Sequence, residues 1–194
     1  MLLRYLFVPL FVPLFALALS LLTACNPTFN WREVNLLDDR AKILMPGKPD
    51  ALSRDIVLET IPVKMFMQGV KIDESTFTVA GAALADQTPG SATRAIAGMR
   101  AQMIRNIAGT EQSVKAIVVR VINDSGKEIA TLDTQRIVVT GLAQAKPVQM
   151  TASFVQYKGY VWQWMVIKSN TAKDGKLGDA AEEFMASFRL IDNK

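Results

Sequence analysis

Few residues of this 194-residue chain could carry out acid–base or metal chemistry. It has no histidine and a single cysteine, which excludes Ser-His-Asp and Cys-His catalysis and the ordinary zinc, copper and haem sites. Carboxylates remain, as the adjacent pairs Asp38-Asp39, Asp73-Glu74 and Glu182-Glu183. Neighbouring residues of a strand point to opposite faces, so such pairs make poor general acid–base partners. We therefore expect no enzymatic activity, no bound metal and no cofactor.

The one cysteine, Cys25, follows an apolar leader that ends in small residues. Residues 1–4 carry one basic side chain, and residues 5–22 are almost wholly apolar. This order is typical of a secretory signal with a cleavage site. The alternative is an uncleaved membrane-spanning helix, which needs about 20 apolar residues. Pro9 and Pro13 disfavour that alternative, because proline interrupts helices.

The segment Leu22-Thr23-Ala24-Cys25 resembles the lipobox of bacterial lipoproteins, in which the cysteine receives lipid and the chain is cut just before it. The resemblance implies a signal peptide over residues 1–24, a lipidated tether over residues 25–30, and a single domain over residues 31–194. More than one acyl chain, palmitate among them, would give stable anchoring, which a single chain does not. In Gram-negative lipoproteins an aspartate after the cysteine favours the inner membrane. Asn26 at this position implies the outer membrane, on its periplasmic side.

The charge balance argues against a nucleic-acid partner. One of the 22 basic residues and none of the 18 acidic ones lie in the leader, so the remaining chain has a net charge of +3. This charge is small, and its signs are interspersed along the chain. We expect two partners instead, the membrane through lipidated Cys25 and an envelope protein.

Short apolar and β-branched segments, separated by proline, glycine and aspartate, predict several strands. We expect strands over residues 41–45, 53–61, 63–70, 75–84, 114–122 and 135–140. Pro62 should end the second of these, and Gly69 should mark a turn or bulge.

Two segments have helical spacing. The first should begin at Ser91 or Thr93 and end at Gly109, with a core-facing stripe of Ile96, Met99, Met103 and Ile107. The second should begin near Asp179, which together with Glu182 resembles a capping box. Its buried stripe should be Ala181, Phe184, Met185 and Phe188, after which residues 189–191 should lead into a polar tail.

A hairpin over residues 148–168 is the best-specified element, because Lys158-Gly159 is a two-residue turn with glycine where positive φ is needed. The turn predicts that Tyr157 pairs with Tyr160, Val155 with Trp162, Ser153 with Trp164 and Thr151 with Val166. One sheet face would then carry four aromatic side chains, Tyr157, Tyr160, Trp162 and Trp164. These are candidates for binding an apolar ligand. The favoured alternative is that a helix simply covers these side chains.

The order of elements, with Gly159-Tyr160-Val161-Trp162 and the final Phe184-Met185-Ala186-Ser187-Phe188-Arg189, resembles the PsbP/Mog-like fold group. The segments Asn30-Trp31-Arg32 and Met45-Pro46-Gly47-Lys48-Pro49 also resemble uncharacterised proteobacterial lipoproteins. The resemblance implies an α+β fold, a central antiparallel sheet with helices packed on its faces in an α/β/α sandwich. Most members of the group are binding or assembly proteins.

These observations favour a membrane-anchored periplasmic lipoprotein with a non-catalytic binding or envelope-assembly role. The alternative is a carrier of an apolar ligand that uses the aromatic sheet face.

Overall fold

A computed structural model describes residues 28–86, 88–169 and 175–193 of the chain. Cys25, the predicted leader and the first part of the tether lie outside these ranges. The described residues form ten strands and two helices: β1 (Arg32–Leu36), β2 (Ala41–Met45), β3 (Asp50–Leu58), β4 (Ile61–Ile72), β5 (Ser75–Ala83), α1 (Pro89–Asn106), β6 (Thr110–Asn123), β7 (Glu128–Ala143), β8 (Lys146–Tyr157), β9 (Tyr160–Ser169), α2 (Lys176–Ser187) and β10 (Arg189–Asp192).

All ten strands belong to one sheet, in the order β1-β2-β10-β6-β7-β8-β9-β5-β4-β3. Consecutive strands joined by short turns pair antiparallel, as β6 to β9 do. β10 is the exception, because it lies between β2 and β6 and runs parallel to β6. The predicted polar tail after α2 is therefore wrong, since Arg189–Asp192 is a paired strand.

The expected α/β/α sandwich with a central antiparallel sheet is also wrong. Strands dominate the described residues, β10 makes the sheet mixed, and two helices are too few to form layers. The sheet instead curls like half of a barrel, as twist accumulates over many strands. Gly47, just after β2, lies against the side chains of Val70 and Ile72 in β4, which is seven places away in the sheet.

The curled sheet has a separate hydrophobic cluster on each face. On one face, Met99 and Met103 of α1 pack with Met65, Ala152 and Val161 of the sheet. On the other, α2 packs against β2, β5 and β9 through the buried side chains Phe184, Met185 and Phe188. Strand β9 contributes to both clusters, because its successive side chains alternate between the faces.

Local signals in the sequence placed most strands correctly. β2 has the predicted bounds, and the β8–β9 hairpin has all four predicted cross-strand pairs. Lys158 and Gly159 both have positive φ, as the two central residues of a type I′ turn require. The connection between β7 and β8 is also a tight turn, with positive φ at Gln144 and Ala145.

Two strand-breaking predictions are wrong. Pro62 does not end a strand but lies inside β4, opposite Val57 of β3. It is tolerated because β4 pairs with β5 only from Phe66 onward, so one edge is open at Pro62. Gly69 is neither a turn nor a bulge, since it pairs in continuous register with Asp50 and Thr78.

The predicted helix caps are wrong as well. α1 begins at Pro89, ahead of Ser91 and Thr93, and the Ser91 hydroxyl donates to the carbonyl oxygens of Asp86 and Thr88. α2 begins at Lys176, and no side chain caps its first turn. Instead, α1 begins with Pro89 at its first helical position, and Gly175 precedes the first residue of α2.

Candidate functional site

The four aromatic residues predicted as a ligand face lie on the α2 side of β8 and β9. Trp162 and Trp164 are each only 1% exposed. Phe188 stacks on Trp164 with ring centroids 4.3 Å apart, and it lies 6.0 Å from the ring of Trp162. The space above both tryptophans is thus filled by the end of α2.

The two tyrosines lie at the open end of the same face, and both are half-buried. Tyr160 stacks on Trp162 at 6.1 Å, and the guanidinium of Arg40 lies 5.6 Å from the Tyr160 ring centre. A ligand on this face would therefore meet Tyr157 and Tyr160 rather than the tryptophan rings.

Hydrogen bonds fix the last turn of α2 over the tryptophans. The Trp164 indole N–H donates to the carbonyl oxygen of Met185 at 3.0 Å, and Arg136 donates to the same oxygen at 3.1 Å. The Ser187 hydroxyl donates to the Phe184 carbonyl at 2.8 Å and accepts from the Leu44 N–H at 3.0 Å. These bonds satisfy carbonyl groups that a helix C-terminus otherwise leaves without partners.

A small charged cluster lies at the edge of the aromatic face, next to Tyr157. The Lys158 ammonium donates to the Asp192 carboxylate, joining the β8–β9 turn to β10. This hydrogen bond raises the pKa of Lys158 and lowers the pKa of Asp192. The pKa of Tyr157 is raised, first by desolvation and then by the negative charge of Asp192. These interactions hold the β8–β9 turn against β10.

The opposite face of the sheet has a groove of about 460 Å³ between α1 and strands β3, β4 and β9. Five methionines line it: Met65, Met67, Met99, Met103 and Met165. The groove also receives Gln163, whose Oε1 atom is buried without a hydrogen-bond partner among the described residues. The helical spacing of Met99 and Met103 indicates a core stripe, whereas Gln163 was not predicted to line a site. The sequence signal for Gln163 is that it is a single polar residue within the apolar segment 161–167.

The third surface feature is the edge strand β3. It is the last strand in the sheet order, so no described strand pairs with its outer edge. Residues Asp50–Asp55 are all exposed, and Leu52 and Val57 are 47% and 65% exposed. Beside β3, a groove of about 400 Å³ runs between β3–β4 and the β1–β2 turn, with Leu37, Leu52 and Phe66 in its lining.

The acidic pairs do not converge. Asp38 and Asp39 lie in the β1–β2 turn with positive φ, Asp73 lies in the β4–β5 turn, and Glu182 pairs with Arg136 at 3.2 Å. Within residues 28–86, 88–169 and 175–193, no group of three or more His, Cys, Asp or Glu side chains could hold a metal ion. Neither helix of this part of the chain is long and apolar enough to span a membrane.

Comparison with known proteins finds similarity in structure but not in sequence. No family model matches the chain. No curated protein sequence matches it either. The solution structure of cyanobacterial PsbP (CyanoP) from Synechocystis sp. PCC 6803 is similar, with a TM-score of 0.50 and 11% sequence identity over 86% of this chain and 95% of that one. The expected likeness to PsbP is thus confirmed for the fold, although the predicted layering of that fold was wrong.

Proposed function

We propose that this chain is a lipid-anchored, non-catalytic binding protein of the bacterial outer membrane. Cys25 would hold it on the periplasmic side, where it would assist the assembly or maintenance of an envelope protein. The proposal of an anchor rests on the apolar leader, on Leu22-Thr23-Ala24-Cys25 and on Asn26. The proposal of a binding role rests on the exposed edge strand β3.

β3 has the properties of a strand that accepts another strand. Its pairing with β4 runs over nine residues without a bulge, so its outer edge is long and regular. Proteins usually protect such edges with proline, bulges or charged side chains, lysine above all, or keep them short. β3 has no proline, lysine or bulge; its charged residues are Asp50, Arg54 and Asp55, and it exposes the apolar side chains of Leu52 and Val57.

The partner that fits this edge is an extended segment of an envelope protein. Its backbone would pair with the outer edge of β3, which gives affinity. Leu52 and Val57 point to opposite faces of the sheet, so the partner would meet one exposed apolar side chain on each face. The adjoining groove, with Leu37 and Phe66 in its lining, would take one larger apolar side chain from the partner.

Photocrosslinking in intact cells tests the binding role. A photoreactive amino acid is placed at Leu52 of β3 and, as a control, at Leu142 of the internal strand β7, which has a similar exposure of 51%. We expect Leu52 to capture one envelope protein through an extended segment and Leu142 not to capture it. Val57→Lys should reduce capture at Leu52 several-fold, because a charge on an edge strand opposes strand addition.

Val118→Lys is the matched control for Val57→Lys, since Val118 is 61% exposed on a different strand. Equal capture from Leu52 and Leu142, or equal loss in both lysine variants, would contradict binding at the β3 edge.

The anchor is tested separately with Cys25→Ala. We expect loss of metabolic labelling by a clickable palmitate analogue and release from the outer-membrane fraction, because no thiol remains to receive lipid. Retention of label or of membrane association in this variant would overturn the proposed anchor. A purified chain that hydrolysed esters, glycans or peptides, with loss of activity on mutation of one carboxylate, would overturn the non-catalytic role.

A further inference from the structure

The groove between α1 and strands β3, β4 and β9 has the size and lining of a ligand site. Its volume of about 460 Å³ lies in the usual range of about 300–1,000 Å³ for small-molecule pockets. Methionine side chains are unbranched and polarizable, so five of them can adapt to the shape of an apolar chain. We propose that this groove binds a single aliphatic chain that ends in a hydrogen-bond donor such as a hydroxyl group.

Gln163 defines the polar end of the proposed ligand. A buried acceptor without a donor is costly, so a site of this kind favours a molecule that supplies the donor. The side chains on either side of Gln163 in the sheet are Ala80 and Phe154, and neither can donate a hydrogen bond. A hydroxyl group beside the Gln163 Oε1 atom would supply the missing partner.

The small side chain of Ala80 leaves room for the aliphatic part. Ala80 lies in register between Met67 of β4 and Gln163 of β9, so the sheet has no large side chain between these two. At the rim, the Gln102 amide already donates to Asn106 at 2.8 Å and accepts from Arg105 at 2.9 Å. Arg54 also lines the groove but is exposed, so Gln163 supplies the buried polar group of the site, with the methionines along the chain.

This groove is distinct from the aromatic face predicted from the sequence. Trp162 and Trp164 point to the α2 side of β9, whereas Gln163 and Met165 point to the α1 side. It also differs from the outer edge of β3, although Val57 of that strand lines the groove as well. Gln163→Leu leaves β3 unchanged and therefore tests the groove separately from strand addition.

Photoaffinity labelling of the full chain in lipid nanodiscs tests the proposal. The probes are decanol carrying a diazirine at its methyl end and the matching diazirine decane, which lacks the hydroxyl group. We expect saturable labelling by the alcohol at peptides that contain Met65, Met67, Met99, Met103 or Met165, with unlabelled decanol as a competitor. The decane probe should bind more weakly.

Gln163→Leu is the decisive variant. It should weaken the binding of photoreactive decanol about tenfold, the loss of one hydrogen bond, while leaving binding of the decane probe unchanged. Gln156→Leu is the matched control, because Gln156 is exposed on the same side of β8 and does not line the groove. It should bind both probes as the unchanged chain does.

Two results would overturn the site. The first is labelling that does not saturate or that maps to the α2 side of the sheet. The second is unchanged decanol binding in Gln163→Leu. Met67→Phe provides a second test, since a ring at this half-buried position narrows the groove and should reduce labelling by both probes. Near-ultraviolet circular dichroism verifies that each variant is folded.

Discussion

The two faces of the sheet are packed by opposite kinds of side chain, although strand β9 contributes to both. Toward α2 it presents Trp162 and Trp164, which are covered by Phe188 and fixed by hydrogen bonds to the end of the helix. Toward α1 it presents Gln163 and Met165, beside a groove. Rigid aromatic rings that also make hydrogen bonds fix one position of the helix, whereas flexible methionine side chains can pack around empty space. We therefore expect the position of α2 to be more tightly specified than that of α1, beside which there is room for a ligand.

The largest expected effect is on the aromatic face. Trp164→Ala removes the stack with Phe188 and one donor to the Met185 carbonyl. We expect the free energy of unfolding to fall by about 3–5 kcal/mol, as for other buried aromatic residues. Urea unfolding measures the change. A loss below about 1 kcal/mol would mean that α2 is held mainly by other contacts.

Ser187→Ala should have a smaller effect on the same face. The Leu44 N–H would lose its acceptor, and the Phe184 carbonyl would lose its donor. An unsatisfied buried group costs about 1–3 kcal/mol, measured by the same urea unfolding. Ser53→Ala is the control, because Ser53 is exposed on β3 and makes no comparable bond. Equal effects in the two variants would contradict a role for Ser187 in docking α2.

Met103→Leu tests how tightly the side chains on the α1 face are packed. The side chain is buried, yet the swap conserves volume, and its neighbours are adaptable methionines. We expect a change below about 1.5 kcal/mol in the free energy of unfolding. A cost as large as that of Trp164→Ala would show that the methionine face is as tightly specified as the aromatic one.

Asp192→Asn should have the smallest effect, and it concerns the edge of the aromatic face. Without the negative charge, the pKa of Tyr157 should move down toward its ordinary value, while desolvation keeps it from falling further. The ultraviolet absorbance of tyrosinate during a pH titration measures this, with Tyr157→Phe to identify the signal. An unchanged titration would mean that desolvation alone raises this pKa.

The same cluster predicts how stability depends on pH. The lowered pKa of Asp192 means that its contribution is present above its unfolded value and is lost as pH falls through the folded one. The raised pKa of Lys158 means that its contribution is complete below its unfolded value and is lost as pH rises through the folded one. Both losses should be absent from Asp192→Asn, as followed by thermal unfolding across pH.

The parts of the fold that were predicted from the sequence depend on local chemistry. The β8–β9 register follows from one Lys-Gly turn, and β2 follows from apolar alternation before a Pro-Gly-Lys-Pro segment. The parts that were missed depend on distant partners. Arg189–Asp192 is a strand because it pairs with β2 on one side and with β6 on the other. Pro62 is tolerated in β4 because β5 does not extend far enough to pair with it.

The functional features divide in the same way. Alternation along β9 correctly indicated which residues share a face with Trp162 and Trp164. It did not indicate that Phe188 would cover them, because that contact joins residues from a strand and a helix end. The groove around Gln163 was missed for a similar reason, since it depends on how α1 lies across β3, β4 and β9.

The position of β10 also sets an order of events when the chain folds. Among the described strands, β1 pairs only with β2, and β2 pairs with β1 and β10. The first hairpin of the domain therefore has no place in the sheet until residues 189–192 have been synthesised. A truncation before Arg189 would thus detach the hairpin nearest the tether from the rest of the sheet.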